Sequence, residues 1–362
     1  MNQFFPEIKK NFGFGCMRLK MNGDEVDHEE FCRMVDAFLA NGFNYFDTAR
    51  IYIDGKSELA LKECLTSRYP RDAYVLTDKL SPNCFTCRED IEPMLDSQLA
   101  ACGVDYFDFY LMHSQTSRNY GHYQECGAYQ EALRLKEAGK IRHVGLSFHD
   151  SAEFLDRILT ENPFIEVVQL QFNYVDYEDD RVQSRLCYEV CQKHGKPVIV
   201  MEPVKGGQLV NLPDAVAELI DGMQGGSRAS YAIRFAASFP NIIMVLSGMG
   251  DMAMMNDNIS FMKDFRPLDA QERTTLERAA EIYQKVVQIP CTACRYCVDG
   301  CPQQIPIPEI FKAVNQARNA GLEPDLTELA GRTPADCLAC GQCEKSCPQY
   351  LPISYLLKKL AN

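Results

Sequence analysis

The sequence has no long apolar run, no excess of basic residues and no Gly-x-Gly-x-x-Gly motif. A membrane-spanning helix needs about 18 consecutive uncharged apolar residues, and no stretch approaches that length, so a membrane is not an expected partner. The 37 basic side chains are outnumbered by 50 acidic ones, which gives a formal net charge of -13. An acidic chain repels phosphate backbones, so nucleic acid is not an expected partner either.

Residues 1–10 lack the apolar run of a signal peptide, so we expect a cytoplasmic protein. Disulfides are rare in a reducing cytoplasm. We therefore do not expect disulfides, although the chain contains 17 cysteines.

Two copies of one cysteine pattern stand near the C-terminus, each with three cysteines at every third position and a fourth followed by proline. They read Cys291-x-x-Cys294-x-x-Cys297-x-x-x-Cys301-Pro302 and Cys337-x-x-Cys340-x-x-Cys343-x-x-x-Cys347-Pro348. This spacing is typical of two 4Fe-4S clusters, in which three thiolates hold one cluster and the fourth reaches the other. Two zinc sites or four disulfides are the alternatives, and the repeated third cysteine and Cys-Pro ending disfavour zinc.

The pattern therefore predicts crossed ligation of two clusters. The first cluster would be held by Cys291, Cys294, Cys297 and Cys347. The second would be held by Cys337, Cys340, Cys343 and Cys301.

From residue 12 to residue 262 the chain alternates short apolar runs with amphipathic stretches. This alternation predicts parallel strands, and eight units in about 250 residues is the number of a closed (β/α)8 barrel. An open doubly wound sheet is the alternative, which the missing glycine motif disfavours. The predicted strands are Gly13–Met17, Phe43–Asp47, Tyr74–Lys79, Phe107–His113, Val144–Phe148, Val167–Phe172, Pro197–Glu202 and Ile242–Ser247.

We divide the chain into a barrel over residues 1–268, a bridging helix within 269–290 and a cluster domain over 291–362. Asp269 and Glu272 have the spacing of a capping box that opens the bridging helix. Helical patterns at 309–320 and 353–360 make the last domain similar to the larger, helical type of two-cluster ferredoxin.

Polar side chains end three successive predicted strands, at the face where barrels of this kind carry their chemistry. Asp47, Lys79 and His113 are these side chains, and Tyr52 follows five residues after Asp47. A tyrosine with an ordinary pKa near 10 donates a proton reluctantly, and a nearby ammonium stabilises its phenolate and lowers that pKa. Together these groups form a proton donor for a carbonyl oxygen, although each alone has a structural explanation.

The sequence Asp47-Thr48-Ala49-x-x-Tyr52, followed by Ser57-Glu58, Lys79 and His113, resembles the aldo-keto reductases. The resemblance implies a catalytic tetrad of Asp47, Tyr52, Lys79 and His113, a small-molecule carbonyl or alcohol substrate, and a nicotinamide cofactor. It also implies that this cofactor is held by Ser147, Gln169, Met201, Ser247, Gly248 and Asn258. The whole chain resembles the branch of that family fused to a two-cluster ferredoxin-like domain.

The expected cofactor site departs from the family pattern at three positions. Phe148 stands where an asparagine usually follows the serine, and Met201 stands where an aromatic residue usually stacks on the nicotinamide. Asp251 lies where members that use NADP supply a cation for the 2'-phosphate, so NAD is favoured over NADP. Each cluster carries one electron and a hydride carries two, so a flavin is a further candidate cofactor.

Three functions follow from these features. The first is a carbonyl or alcohol oxidoreductase in which the clusters relay electrons, with a redox protein as a candidate partner. The second is an electron-transfer or redox-sensing protein whose cofactor site has degenerated. The third is a flavin-dependent or cluster-dependent reductase of a non-carbonyl substrate.

Overall fold

The structure is a computed structural model that describes residues 3–287, 289–319, 321–326, 329 and 331–361. Eight parallel strands close into a barrel in the order β1-β10-β9-β8-β7-β6-β5-β4, and β2 and β3 form a separate two-stranded sheet. The (β/α)8 barrel is therefore confirmed. The strands are β1 Phe12–Gly15, β2 Met21–Asn22, β3 Glu25–Val26, β4 Tyr45–Asp47, β5 Val75–Leu80, β6 Phe107–Gln115, β7 Ile141–Phe148, β8 Val167–Gln171, β9 Val198–Met201 and β10 Ile242–Ser247.

All eight predicted strands are present, and their ends differ from the prediction by at most three residues. Parallel pairing brings the carboxyl ends of neighbouring strands together. Asp47 of β4 lies beside Thr77 of β5, and Lys79 of β5 lies beside Leu111 of β6. The polar residues at these strand ends therefore face one mouth of the barrel.

Helices follow most strands and cover the outside of the barrel. The helices are α1 His28–Ala40, α2 Lys56–Leu61, α3 Ile91–Cys102, α4 Tyr120–Glu125, α5 Ala128–Glu137, α6 Ala152–Glu161, α7 Ser184–Lys193, α8 Asp214–Asp221, α9 Arg228–Ala237, α10 Met252–Met262, α11 Ala270–Val286, α12 Tyr296–Asp299, α13 Ile307–Asn319, α14 Gln342–Lys345 and α15 Ile353–Leu360. The β2–β3 hairpin, α4, α8, α12 and α14 have no counterpart among the predicted elements, because each is short and lacks a full amphipathic period.

Two apolar cores stabilise the barrel. The inner core contains Tyr45, Val75, Phe109 and Leu111, and the N-terminal residue Phe5 packs against it. A larger core fills the space between the strands and the surrounding helices. Most barrel strands contribute residues to both cores, as the alternation of side chains in a closed barrel requires.

Helix α11 begins at the predicted capping box, in which Asp269 accepts a hydrogen bond from the Glu272 amide at 2.8 Å. Its buried residues Leu276, Ala279 and Tyr283 belong to the larger core of the barrel. The helix thus packs on the barrel before the chain enters the cluster domain. That domain has an apolar core of its own, which includes Ile310, Phe311, Val314, Ile353 and Leu357.

One expectation about the cysteines is wrong. Cys32 of α1 and Cys64, which follows α2, form a disulfide with a Cα–Cα distance of 4.6 Å. The two residues are 32 positions apart, and the packing of two helices brings them together. Within the described ranges, no helix combines the length and the apolar character that crossing a membrane requires.

Candidate active site and cluster cavities

Four polar side chains meet at the carboxyl ends of β4, β5 and β6. The Lys79 ammonium donates hydrogen bonds to Asp47 Oδ1 at 2.6 Å, to the Thr48 carbonyl at 2.7 Å and to the Tyr52 hydroxyl at 3.2 Å. The ring of Tyr52 lies 5.9 Å from that of His113, centroid to centroid. The residues predicted from their spacing thus form one contiguous group.

Further hydrogen bonds fix the orientation of Asp47 and His113. Gln169 donates a hydrogen bond to Asp47 Oδ2 at 3.1 Å, so both carboxylate oxygens are bound. Nδ1 of His113 shares a hydrogen bond of 2.7 Å with the Ser81 hydroxyl. The other ring nitrogen, Nε2, is therefore left to act on a substrate oxygen.

Burial is the largest cause of the pKa shifts of Asp47 and His113. It raises the pKa of Asp47, against the opposing effect of Lys79. Burial lowers the pKa of His113 well below its usual range, and the Lys79 charge adds to that effect, so the ring is neutral at pH 7. A neutral imidazole can donate a hydrogen bond without placing a second cation beside Lys79.

The pKa of Tyr52 differs in direction from the sequence expectation. Burial and the Asp47 carboxylate raise it well above its usual value, although Lys79 lies close by. The reason is that Asp47 compensates the ammonium, so little net positive charge remains to stabilise a phenolate. Tyr52 is consequently protonated at neutral pH, as a proton donor must be.

A second buried polar group lies behind Lys79 and was not predicted as part of the site. Gln98 donates hydrogen bonds to Asp78 at 2.9 Å and to the Lys79 carbonyl at 3.1 Å. Burial raises the pKa of Glu58 to about 7 and that of Asp78 well above its usual value. Arg50 lies 3.3 Å from Glu58 and offsets part of that cost.

The residues expected to hold a nicotinamide lie on β7 to α10, and protein groups already bind several of them. Ser147 accepts a hydrogen bond from the Ser114 amide at 2.7 Å. Asn258 donates one to the Ser247 hydroxyl at 3.0 Å. Met201 ends β9, and Gly248 lies against the Arg18 side chain.

The N-terminus of α10 is occupied by carboxylates. Asp251 accepts a hydrogen bond from the Met254 amide at 2.8 Å, and Glu30 accepts one from the Met252 amide at 2.8 Å. A helix N-terminus often binds phosphate through such amides. Here two anions already bind them, which disfavours a further anionic group.

The eight cysteines of the repeated pattern line two cavities and form no disulfide. One cavity is lined by Cys291, Cys294, Cys297 and Cys347. The other is lined by Cys301, Cys337, Cys340 and Cys343. In the described part of the chain, no three Cys, His, Asp or Glu side chains converge closely enough to hold a single metal ion. Each cavity is lined by three cysteines of one motif and one of the other, and crossed ligation of two clusters stays a prediction.

The first cysteine motif packs against the barrel mouth. Arg18 donates a hydrogen bond to the Thr292 carbonyl at 3.0 Å and pairs with Glu202 at 3.1 Å. Gly206, in the loop after β9, comes so close that an added Cβ would lie 2.1 Å from the Thr292 oxygen. The side chain of Gln208 donates a hydrogen bond to the Cys291 carbonyl.

Tyr296 brings this motif into contact with the polar group of the barrel. It lies between Cys294 and Cys297, and its ring is 6.5 Å from that of His113. Its hydroxyl interacts with the Tyr52 hydroxyl and partly offsets the rise that burial causes in the Tyr52 pKa. With Tyr296 in this position, Tyr52 is 8% exposed, His113 3% and Lys79 0%. Sequence reasoning missed Tyr296, although its position inside a cluster motif is a usable signal.

A buried polar network joins the segment after Cys347 to the barrel. Lys205 pairs with Asp176 at 2.5 Å and lies 3.3 Å from the Gln349 side-chain oxygen. Gln349 donates a hydrogen bond to Gln171 at 2.8 Å. All four side chains are buried. Separating the two domains would expose this ion pair and break these bonds, so the network specifies how the domains dock.

The fold and these sites define an oxidoreductase with a (β/α)8 barrel. The sequence model of the aldo/keto reductase family matches residues 11–281, and that of a 4Fe-4S dicluster domain matches residues 290–351. The chain belongs to the aldo/keto reductase family. It is a member that carries a C-terminal 4Fe-4S dicluster domain.

Individual relatives agree with this assignment. A stretch of 118 residues is 31% identical to the NAD(P)H-dependent D-xylose reductase of Pachysolen tannophilus, and it spans 31% of this chain and 33% of that reductase. The barrel is similar to an aldo-keto reductase of Klebsiella pneumoniae in complex with NADPH, with a TM-score of 0.61 and 20% identity over 75% of this chain and 90% of that one. It is also similar to the holo form of an aldo-keto reductase from Bacillus halodurans, with a TM-score of 0.62 and 22% identity over 75% and 92% of the two chains.

Proposed function

We propose that the chain interconverts a carbonyl compound and its alcohol at the barrel mouth, in the cytoplasm, with Tyr52 as the proton donor. The single observation that carries this proposal is the contact of the Lys79 ammonium with both Asp47 and Tyr52. In the reduction, the carbonyl carbon gains a hydride, which is one proton with two electrons, and the oxygen gains the Tyr52 proton. His113 Nε2 orients that oxygen, and Lys79 stabilises the phenolate left on Tyr52.

A nicotinamide cofactor would supply the two electrons and the hydrogen as hydride. The free oxygen of the Gln169 side chain and the Ser147 hydroxyl suit its carboxamide. Asp251 and Glu30 fill the N-terminus of α10 and repel a 2'-phosphate, which favours NAD over NADP.

The cysteine motifs would hold two 4Fe-4S clusters, which exchange electrons one at a time. We propose that they relay electrons between the barrel site and a redox partner. Tyr296 supports this relay, because one side chain contacts His113 and stands next to two residues that line the first cavity. The Lys205 network supports it as well, because it holds the segment that carries Cys347 against the same mouth.

The substitution Tyr52→Phe tests the proton donor. Carbonyl reduction with NADH, measured without oxygen on a panel of aldehydes and ketones, should fall by at least about a hundredfold, since general acids of this kind contribute roughly 10²–10⁴-fold. Iron and sulfide content should not change, because Tyr52 lines neither cysteine cavity. Activity retained by Tyr52→Phe would contradict the assignment.

A second candidate is an electron-transfer or sensing protein whose barrel performs no hydride chemistry. The near-complete burial of Tyr52 beneath Tyr296 favours it. Titration of the oxygen-free protein with NADH and with NADPH separates the two functions. Bleaching of the cluster absorbance by NADH supports the oxidoreductase, and an unchanged spectrum with both nucleotides supports the second candidate.

A further inference from the structure

The cavity of the second cysteine motif opens to the outside of the molecule. Leu338 lines this cavity and is 63% exposed, and the neighbouring Ala339 and Cys340 are exposed as well. The first cavity, in contrast, adjoins Tyr296 and the barrel mouth. One cluster site therefore faces the catalytic group and the other faces solvent.

Apolar side chains continue the surface around the second cavity. Tyr355 of α15 is 55% exposed, and its neighbours Ser354 and Leu357 line the cavity. We name Leu338, Ala339, Cys340 and Tyr355 the port surface. Large exposed apolar side chains beside a functional cavity are typical of a surface that another protein covers.

Basic residues lie in the segments that carry the port surface, and the Lys359 ammonium is 4.7 Å from the centre of the Tyr355 ring. Residues 331–362 contain Arg332, Lys345, Lys358 and Lys359 but only two carboxylates, Asp336 and Glu344. Internal contacts engage both carboxylates: Asp336 accepts a hydrogen bond from the Thr333 amide at 2.8 Å, and Glu344 accepts one from the Ser354 amide at 2.7 Å.

The rest of the molecule has the opposite sign. The whole chain carries a net charge of -13, and residues 291–362 contain seven basic and seven acidic side chains, so the excess of acid lies on residues 1–290. An acidic protein is therefore repelled by the barrel and attracted to the rim of the port surface. Such a distribution orients a partner during encounter.

We propose that the port surface is the docking site of an acidic one-electron carrier protein. The carrier would lose one electron, and the cluster held by Cys301, Cys337, Cys340 and Cys343 would gain it, with no proton transferred. Two such encounters would deliver two electrons, one for each of the two clusters. The onward path to the barrel rests on the relay of the proposed function, whereas docking and the first transfer do not.

Charge reversal at the rim tests this proposal, with reduced flavodoxin, an acidic flavin protein, as the probe. Lys345→Glu and Lys359→Glu are compared with Lys263→Glu, which changes the net charge equally but follows α10 on the barrel. Surface plasmon resonance measures flavodoxin binding to the cluster-loaded protein. Stopped-flow absorbance measures cluster reduction without oxygen and without a carbonyl substrate. The methyl viologen radical, a small reductant that needs no docking surface, shows whether each variant retains reducible clusters.

We expect each rim variant to bind flavodoxin and to be reduced by it at least about tenfold less well than Lys263→Glu at low salt. Added salt should slow the wild type and Lys263→Glu but hardly affect the rim variants. Leu338→Ser should weaken binding at every salt concentration.

Equal binding and equal rates in the rim variants and in Lys263→Glu would overturn the docking site. A variant that methyl viologen cannot reduce is replaced by its neutral form, Lys345→Gln or Lys359→Gln. Because no substrate is present, Tyr52→Phe should leave these measurements unchanged. If carbonyl turnover fails while flavodoxin still docks, the result contradicts the proposed function but not the docking site.

Discussion

Replacing Gly206 with alanine should disturb the docking of the first cysteine motif on the barrel. The added Cβ would lie 2.1 Å from the Thr292 carbonyl oxygen, inside the 3.0 Å that real Cβ atoms keep. Gly206 also has a φ of +64°, a left-handed conformation that costs a non-glycine residue about 1–2 kcal/mol. The substitution therefore carries a backbone penalty and a separate steric penalty.

Gly195→Ala isolates the backbone penalty. Gly195 has the same φ of +64°, and an added Cβ there meets nothing within 4 Å. In Gly206→Ala the Thr292 carbonyl must also move and lose its hydrogen bond from Arg18, a charge-assisted bond that contributes about 1.5–3 kcal/mol. At about 1.3 °C per kcal/mol for a chain of 362 residues, Gly206→Ala should unfold roughly 2–4 °C below Gly195→Ala.

Thermal scans at one fixed rate measure this difference, since bound clusters make unfolding depart from two states. Electron paramagnetic resonance of the reduced protein gives a second measurement. Gly206→Ala should alter the signal of one cluster, the one that the first motif would hold, and Gly195→Ala should alter neither. Equal unfolding temperatures together with unchanged spectra would refute the docking described for residues 291–297.

Three further predictions concern the buried groups and the cysteines. Lys79→Met should destabilise the fold by about 3–5 kcal/mol, because it leaves the buried Asp47 carboxylate without its cation. Urea unfolding, followed by a spectroscopic signal of the barrel to which the clusters do not contribute, measures this loss. The free energy of unfolding should fall as pH rises from about 4.5 to about 7, because the folded state holds the Glu58 proton more tightly than the unfolded chain does. Glu58→Gln should flatten this slope in the same assay. Cys347→Ser should remove the paramagnetic signal of the cluster near the barrel, and Cys301→Ser that of the outer cluster.

Each of these predictions has a contradicting result. If Lys79→Met were as stable as the wild type, Asp47 would need no cationic partner. If adding Asp47→Asn to Lys79→Met restored the stability, the loss would come from the unpaired carboxylate. An identical slope in Glu58→Gln would assign the pH dependence to other groups. Loss of the outer signal in Cys347→Ser would exclude crossed ligation.

Periodicity and local spacing predict the barrel and the four polar side chains at its mouth. Each strand is a short apolar run, and each of Asp47, Lys79 and His113 ends such a run, so their convergence follows from parallel pairing alone. The eight cysteines line two cavities, four to each, and their crossed ligation of two clusters stays a prediction from their spacing. These features are local in sequence, and a closed barrel turns them into neighbours.

Contacts between distant segments could not be predicted in this way. Arg18 reaches Thr292 across 274 positions, and Cys32 meets Cys64 through the packing of two helices. The pKa of Tyr52 has the opposite direction from the expectation, because spacing reveals that Lys79 is near but not how deeply the phenol is buried. Tyr296 is visible in the motif, but only the docked structure brings it to His113.

The oxidation state of the clusters during turnover shows most directly whether the cluster domain and the barrel site form one catalytic unit. Protein reduced with dithionite and freed of excess reductant is mixed without oxygen with a reactive aldehyde and less than one equivalent of NAD⁺, which can take up two cluster electrons and one proton as hydride. Paramagnetic resonance records how fast the clusters are reoxidised. We predict rapid reoxidation in the wild type and loss of it in Tyr52→Phe, with iron and sulfide content unchanged. Equal reoxidation in both proteins, or none in the wild type, would contradict a catalytic unit that joins the cluster domain to the barrel site.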